Sequence, residues 1–378
     1  MVAKFIYLSI IYITSFKDSN GDGVGDLKGI TSKLNHIKDL GSSIVWIQPF
    51  YSNPMSDNGY DITDFMGIDP LFGNFNDFDE LIEKAKTLDM KIVLDFVPNH
   101  TSEKHPWFIK SILREKPYDD YYVWFDGKEV NGTIQPPTNW LSTLHGSAWT
   151  WNEQRKQYYY HTFAKTQPDL NFRNSKVKED MKNIIRFWHE KGIDGLRIDS
   201  IPSLVEGYSN DEFPLKEQSK RLNTMYDDDF FSSQFPLYSY NPNGSYSICQ
   251  SWRNYILNEY SSSKKLLILE AYFYPENIED AMKYFDYGAD IPMNMFFTEL
   301  ININTTVSEL INLTQLYLKA IPKGKSPNWV FSNHDRPRIA SKFGQNRADQ
   351  MIMLTSVLPG IVFVYQGEEI YMENRTLT

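Results

Sequence analysis

Short apolar runs alternate with segments of helical period along nearly the whole chain, and this alternation limits the possible folds more than any single motif does. The run "KFIYLSIIYITSF" reads as a strand, and "LKGITSKLNHIKDL" as a helix with Ile30, Leu34, Ile37 and Leu40 on one face and Gly41 as its stop. The strand "SIVWIQPFY", the helix "DFDELIEKAKTLDM" and the strand "KIVLDFVPNH" follow. This is the rhythm of a parallel sheet covered by helices. It resumes after Leu170 with the helix "KVKEDMKNIIRFWHEKG" and the strands "GLRIDS", "LLILEAY", "ADIPMNMFF", "NWVFSNHD" and "IVFVYQGEE". Eight such strands predict an α/β fold of the (β/α)8 TIM-barrel type, and no G-x-G-x-x-G turn supports a dinucleotide fold. Residues 101–170 break the rhythm and are too many for an ordinary βα loop. They predict a small inserted domain after strand three, with residues 1–100 and 171–378 forming the barrel.

Composition narrows the ligand. With 48 acidic and 38 basic residues the net charge is -10, and no Lys/Arg stripe runs along the sequence, which argues against nucleic acid as a partner. Aromatic residues make up 15% of the chain, and the polar clusters "YDDYYVWF" and "WTWNEQRKQYYYHTF" suit flat, hydroxylated ligands. The single cysteine, Cys249, excludes an internal disulfide framework and a Cys-based zinc site. No stretch reaches the roughly 18 apolar residues of a membrane span. Lys4 and the apolar residues after it resemble a short signal peptide, but no small-residue cleavage site follows, so the segment reads as the first strand. N-x-S/T sequons at Asn99, Asn131, Asn243, Asn304, Asn312 and Asn374 lean toward a secretory history.

Catalytic groups of such a barrel sit where its strands end. Asp95, Asp199, Glu270 and Asp335 each follow an apolar run, an expensive place for a carboxylate without a partner or a task. With His100 and His334 beside them, the four suit either a metal site or glycoside chemistry, although no H-x-x-x-H spacing favours metal. Glycoside hydrolysis needs one ionised and one protonated carboxyl. Arg197, two residues before Asp199, is expected to hold Asp199 ionised, and the apolar setting of Glu270 to raise its pKa. In "KDSNGDGVGDL", Asp18, Asn20, Asp22, the Val24 carbonyl and Asp26 set oxygen donors at every second position, as a calcium loop does. It is no EF-hand, because the twelfth residue from Asp18 is Gly29.

The motifs "DNGYDI", "DFVPNH", "QPDLN", "GLRIDS", "LLILEAY" and "FSNHD", in this order, resemble the α-amylase superfamily, glycoside hydrolase family 13. More narrowly, "SFKDSNGDGVGDL", "GSAWTWNEQRKQYYYHTF" and "NHDRPRIASKFG" resemble the animal α-glucosidases, the insect maltases and sucrases. The resemblance runs from about Tyr12 to the end of the chain. It implies a secreted or extracellular, retaining, exo-acting α-glucosidase that cleaves terminal α-glucosidic bonds of maltose, sucrose or short α-glucans, with transglucosylation. Asp199 would be the nucleophile, Glu270 the acid and base, and Asp335 the third carboxylate. Asp57, Tyr60, His100, Arg197, His334 and Arg338 would bind substrate, and Asn99 would share a buried network with Asp95. No cofactor would take part in catalysis, and the loop of Asp18, Asn20, Asp22, Val24 and Asp26 would hold a structural Ca2+. The chain departs from the family pattern at Ile13 and Thr14, at Ser200 and at Arg336, and residues 171–378 are expected to complete the barrel only as far as strand eight, short of the family's C-terminal β-sandwich. The competing expectations are a non-catalytic relative, such as a transporter heavy-chain ectodomain or surface receptor, and an inactive truncated product.

Overall fold

The computed structural model describes residues 6–206, 217–220, 242–260 and 264–375. Its strand residues are apolar on both faces because each strand divides two apolar layers. Leu8, Ile10, Ile44, Trp46, Val93, Ile268, Val330 and Phe363 point into a common interior. Their neighbours Ile11, Val45, Ile47, Ile92, Leu94, Leu196, Ile198, Leu267, Leu269 and Trp329 pack outward beneath helices. Period-2 alternation thus produces a barrel with a filled core.

The strands are β1 (Ile6–Ile11), β2 (Ser42–Ile47), β3 (Lys91–Phe96), β4 (Gly195–Ile198), β5 (Leu266–Leu269), β6 (Ile291–Pro292), β7 (Asn328–Val330) and β8 (Ile361–Tyr365). They form one parallel sheet in the order β6-β5-β4-β3-β2-β1-β8-β7, a (β/α)8 barrel open only at the seam between β6 and β7. There the Asn328 side chain substitutes for ladder bonds. Its Nδ2 donates to the Pro292 carbonyl at 2.7 Å and its Oδ1 accepts from the Asn294 backbone N–H at 2.8 Å.

Helices α1 (Leu27–Asp39), α2 (Phe75–Thr87), α3 (Ser175–Glu190), α4 (Pro242–Glu259), α5 (Val307–Ala320) and α6 (Gln345–Val357) flank the strands. Asp26 caps α1, and a capping box of Asn74 with Asp77 starts α2. Ile30, Leu34 and Ile37 are buried as their spacing predicts, whereas Leu40 is 42% exposed because α1 ends before it. Gly41, at φ +88°, makes the left-handed turn that ends the segment.

Two strand expectations shorten. The first strand stops at Ile11 and Ile13–Phe16 coil into a helical turn; Lys4 and Phe5 lie outside the described residues. "ADIPMNMFF" supplies only Ile291–Pro292, since Pro292 has no N–H to extend the ladder, and Phe296–Glu299 form a helical turn. Between β3 and β4 the chain forms a helix, Pro106–Ile112, and a three-stranded antiparallel sheet of Trp124–Phe125, Gln157–Tyr160 and Trp149–Asn152. Its apolar cluster includes Val123, Trp140, Ala148 and Trp149. A bridge between His100 and Asp169 returns this excursion to the end of β3 and brings Gln167 to the barrel rim.

Candidate active site

The alternation that fills the barrel also aims its polar residues. Register sets Asp95 beside Arg197, and the inward positions of β3, β4 and β5 continue upward into Asp95, Arg197, Asp199 and Glu270. Arg197 is fully buried, with Nη1 2.8 Å from Asp95 Oδ1 and 2.6 Å from Asp199 Oδ1. Its Nη2 lies 2.7 Å from Glu270 Oε1 but off the line of a hydrogen bond, so that contact is ionic. The guanidinium also sits over the Trp46 ring at 4.7 Å. Asp95 is sealed from solvent, and its Oδ2 accepts from Trp46 Nε1 at 3.1 Å and Tyr60 OH at 2.8 Å. Asp95 therefore holds the arginine, while Asp199 and Glu270 reach the cleft at 8% and 5% exposure.

Burial dominates the charge states. It pushes Asp199 up to about 6 against the pull of Arg197, which lowers it. Glu270 rises further, to about 7, through burial and then the charge of the neighbouring Asp199. Ser200 donates its backbone N–H to Glu270 Oε2 at 3.0 Å. It does so from a left-handed conformation, φ +41°, that turns the chain back toward β5. Asp335 lies beyond β7 and is raised to about 6, first by burial and then by the Glu270 charge. Protein atoms crowd it on the cleft wall, yet 43% of its side chain is open to water, which weakens the shift.

The remaining expected residues gather around these carboxylates. Tyr60 and His334 stack with centroids 5.3 Å apart and 4° between planes, and Gln48 bonds to His334 Nδ1. Burial keeps His334 neutral and lowers His100 to about 4. Nε2 of His100 is 3.1 Å from the Tyr60 carbonyl and 3.1 Å from Gln167 Nε2, and Gln167 donates to Asp57 Oδ2 at 2.6 Å. Arg338 stacks on the Tyr365 ring at 4.4 Å and donates to the Gln366 carbonyl. Asp57 and Arg338 thus have separate anchors. Asn99 faces His100 and Asp169 and not Asp95, whose oxygens are already occupied. It is also 1% exposed, leaving no room for a glycan, whereas Asn131, Asn243, Asn304, Asn312 and Asn374 are exposed.

The loop after β1 is organised by backbone hydrogen bonds. Asp18 accepts from the N–H groups of Asn20, Gly21 and Gly23, which hold its carboxyl below the usual range. Asn20 donates to Asp22 at 2.9 Å, and Asp22 accepts from Val24 N–H at 2.8 Å. Asp26 faces the other way, capping α1 through Gly29 N–H at 2.6 Å and accepting from Ser19. Among the described residues no three His, Cys, Asp or Glu side chains are disposed to hold a metal ion.

The sequence patterns assign no role to Trp46, Gln48 or Gln167, although Gln167 stands in the motif "QPDLN". Gln48 had the same signal as the carboxylates, a polar residue just past an apolar strand; Trp46 looked like any core aromatic.

A parallel barrel that holds the carboxyls past β4 and β5 on one buried arginine, with a third past β7 close enough to feel the Glu270 charge, is equipped for carboxylate-driven cleavage or transfer of a glycosidic bond. The chain belongs to the alpha-amylase family: the family model for the alpha amylase catalytic domain matches residues 10–378. An alpha-glucosidase of Apis mellifera is 40% identical over 96% of this chain and 62% of its own length. An amino acid transporter heavy chain of Mus musculus is 39% identical over 97% of this chain and 54% of its own. The solved alpha-glucosyl transfer enzyme XgtA superimposes with a TM-score of 0.87 at 32% identity, covering 99% of this chain and 69% of that one. The chain therefore spans about three-fifths of the length of its first curated relatives.

Proposed function

We propose that this chain is a retaining, exo-acting α-glucosidase for maltose, sucrose or short α-glucans, able to transfer the glucosyl unit as well as hydrolyse it. The observation that carries the reading is that Arg197 holds both carboxyls, with Asp199 Oδ1 2.6 Å from Nη1 and Glu270 Oε1 2.7 Å from Nη2. An inverting enzyme needs about 6.5–9.5 Å between its carboxyls to seat a water; carboxyls held on neighbouring nitrogens of one guanidinium suit the closer spacing of a retaining enzyme. Asp199, with the lower pKa of the two, ionises first and attacks the anomeric carbon. Glu270 stays protonated to higher pH and protonates the departing oxygen. In the second step ionised Glu270 takes a proton from water, which releases glucose from Asp199. Asp335 binds hydroxyls of the distorted ring, and Asp57, Tyr60, His100, His334 and Arg338 enclose one glucosyl unit. The glucosidase and glucosyl-transfer relatives support this reading.

The test is glucose release from maltose and sucrose by the purified chain, with Asp199→Asn beside it. The substitution is expected to lower kcat by at least about a thousandfold. A folded chain that releases no glucose would overturn the reading and favour the non-catalytic one that the transporter heavy-chain likeness suggests. A structural calcium ion is proposed with it. Asp18, Asn20, Asp22 and the Val24 carbonyl offer only oxygen donors, which suit a hard cation, while Asp26 is engaged as a helix cap. Added calcium is expected to raise the melting temperature, and Asp22→Ala to remove that increase; equal melting with calcium and with chelator would refute the ion.

A further inference from the structure

Different residues build the inner pocket and its mouth. Tyr60, His100, His334 and Asp57 crowd one side of the carboxylates. Further out, next to Glu270 and Asp335, stand Tyr272, Arg336 and Glu299, with the Arg336 side chain 43% exposed. Tyr272 follows Glu270 by two residues and packs at the top of the inner apolar layer, near the cleft. Arg336 is gripped two-handed by Glu299, Nε to Oε1 at 2.6 Å and Nη2 to Oε2 at 3.1 Å, with its guanidinium 5.9 Å from the Tyr272 ring. Glu299 is itself fixed, because Lys342 donates to the carbonyls of Phe297 and Thr298 in the same turn at 3.1 and 2.6 Å.

The grip leaves Nη1 with one long contact, 3.4 Å to the Asp335 carbonyl, on a side chain that is 43% exposed. A planar, donor-only cation held rigidly beside an aromatic face is a surface for a hydroxyl-rich ring, and a salt-bridged guanidinium loses little entropy on meeting one. We propose that Arg336, clamped by Glu299 next to Tyr272, binds the sugar on the leaving side of the scissile bond and so selects both the disaccharide that is cut and the hydroxyl that accepts the glucosyl unit. The inference rests on the α-glucosidase reading. In transfer, an acceptor hydroxyl attacks the anomeric carbon of the glucosyl–Asp199 ester, the carbon–oxygen bond to Asp199 breaks, and the hydroxyl proton passes to Glu270.

The test compares kcat/KM for maltose with that for α-glucosyl fluoride, whose leaving group brings no sugar into the mouth. Arg336→Gln is expected to lower the maltose value about tenfold more than the fluoride value, the worth of a hydrogen bond from a charged donor. Glu299→Gln, which loosens the clamp, is expected to move the same ratio in the same direction, and both variants to lower the share of glucosyl units passed to added maltose. Equal losses on the two substrates would assign Arg336 to the glucosyl pocket or to the fold and overturn the proposal. An unchanged ratio in Arg336→Gln would overturn it too. Wild-type protein that turns over neither substrate would remove the α-glucosidase reading and this inference with it.

Discussion

Asp95 and Asp199 are both strand-end aspartates bonded to one nitrogen of Arg197, and only Asp199 opens to the cleft. Each follows an apolar run, so spacing alone does not separate the two. What separates them is lateral: Trp46 and Tyr60, from other parts of the chain, take up the outer oxygen of Asp95. No spacing rule reports that closure. Removing Asp95 would leave a buried guanidinium with one compensating charge fewer and two orphaned donors. Asp95→Ala is therefore expected to cost about 3–5 kcal/mol of stability in urea unfolding. A cost below about 1 kcal/mol would mean that Asp199 and Glu270 balance Arg197 by themselves.

At the scale of elements, sequence patterning located the eight strands because buried parallel strands are apolar on both faces. It overextended β6 for the same reason, since an apolar run reads alike as a strand or as a buried turn. The barrel seam depends on Asn328, whose amide bonds Pro292, Asn294 and the Tyr317 hydroxyl where a longer β6 would have paired with β7. Nothing in "NWVFSNHD" marks that asparagine as a structural bridge. Because Asn328→Ala orphans a buried carbonyl and a buried N–H, it is expected to destabilise the protein by about 2–4 kcal/mol. Thermal or urea unfolding measures this. Asn328→Asp, which keeps the acceptor and loses the donor to Pro292, should also melt below wild type, and wild-type melting of both variants would show that the seam closes without this residue.

Over the whole molecule, the chemistry and the stability draw on the same carboxyls with opposite signs. Burial raises Asp95 and Asp199 to about 6 and Glu270 to about 7. It also raises Glu368, which accepts from Ser332 and the Tyr365 N–H next to β8, to about 7. Asp335 adds less because water reaches it. Unfolded, these groups titrate near 4. Between about pH 4 and pH 7 the folded state therefore binds more protons than the unfolded state, and stability falls as pH rises through that window. Activity needs the reverse at its lower edge, with Asp199 ionised above about pH 6 while Glu270 keeps its proton up to about 7. The melting temperature is expected to drop from pH 5 to pH 8, and Glu270→Gln, which cannot titrate, to flatten the drop while abolishing turnover of maltose. A wild-type melting temperature that holds level or rises across this range would show that Arg197 outweighs burial after all, and that these carboxyls are ionised well below neutral pH in the folded protein.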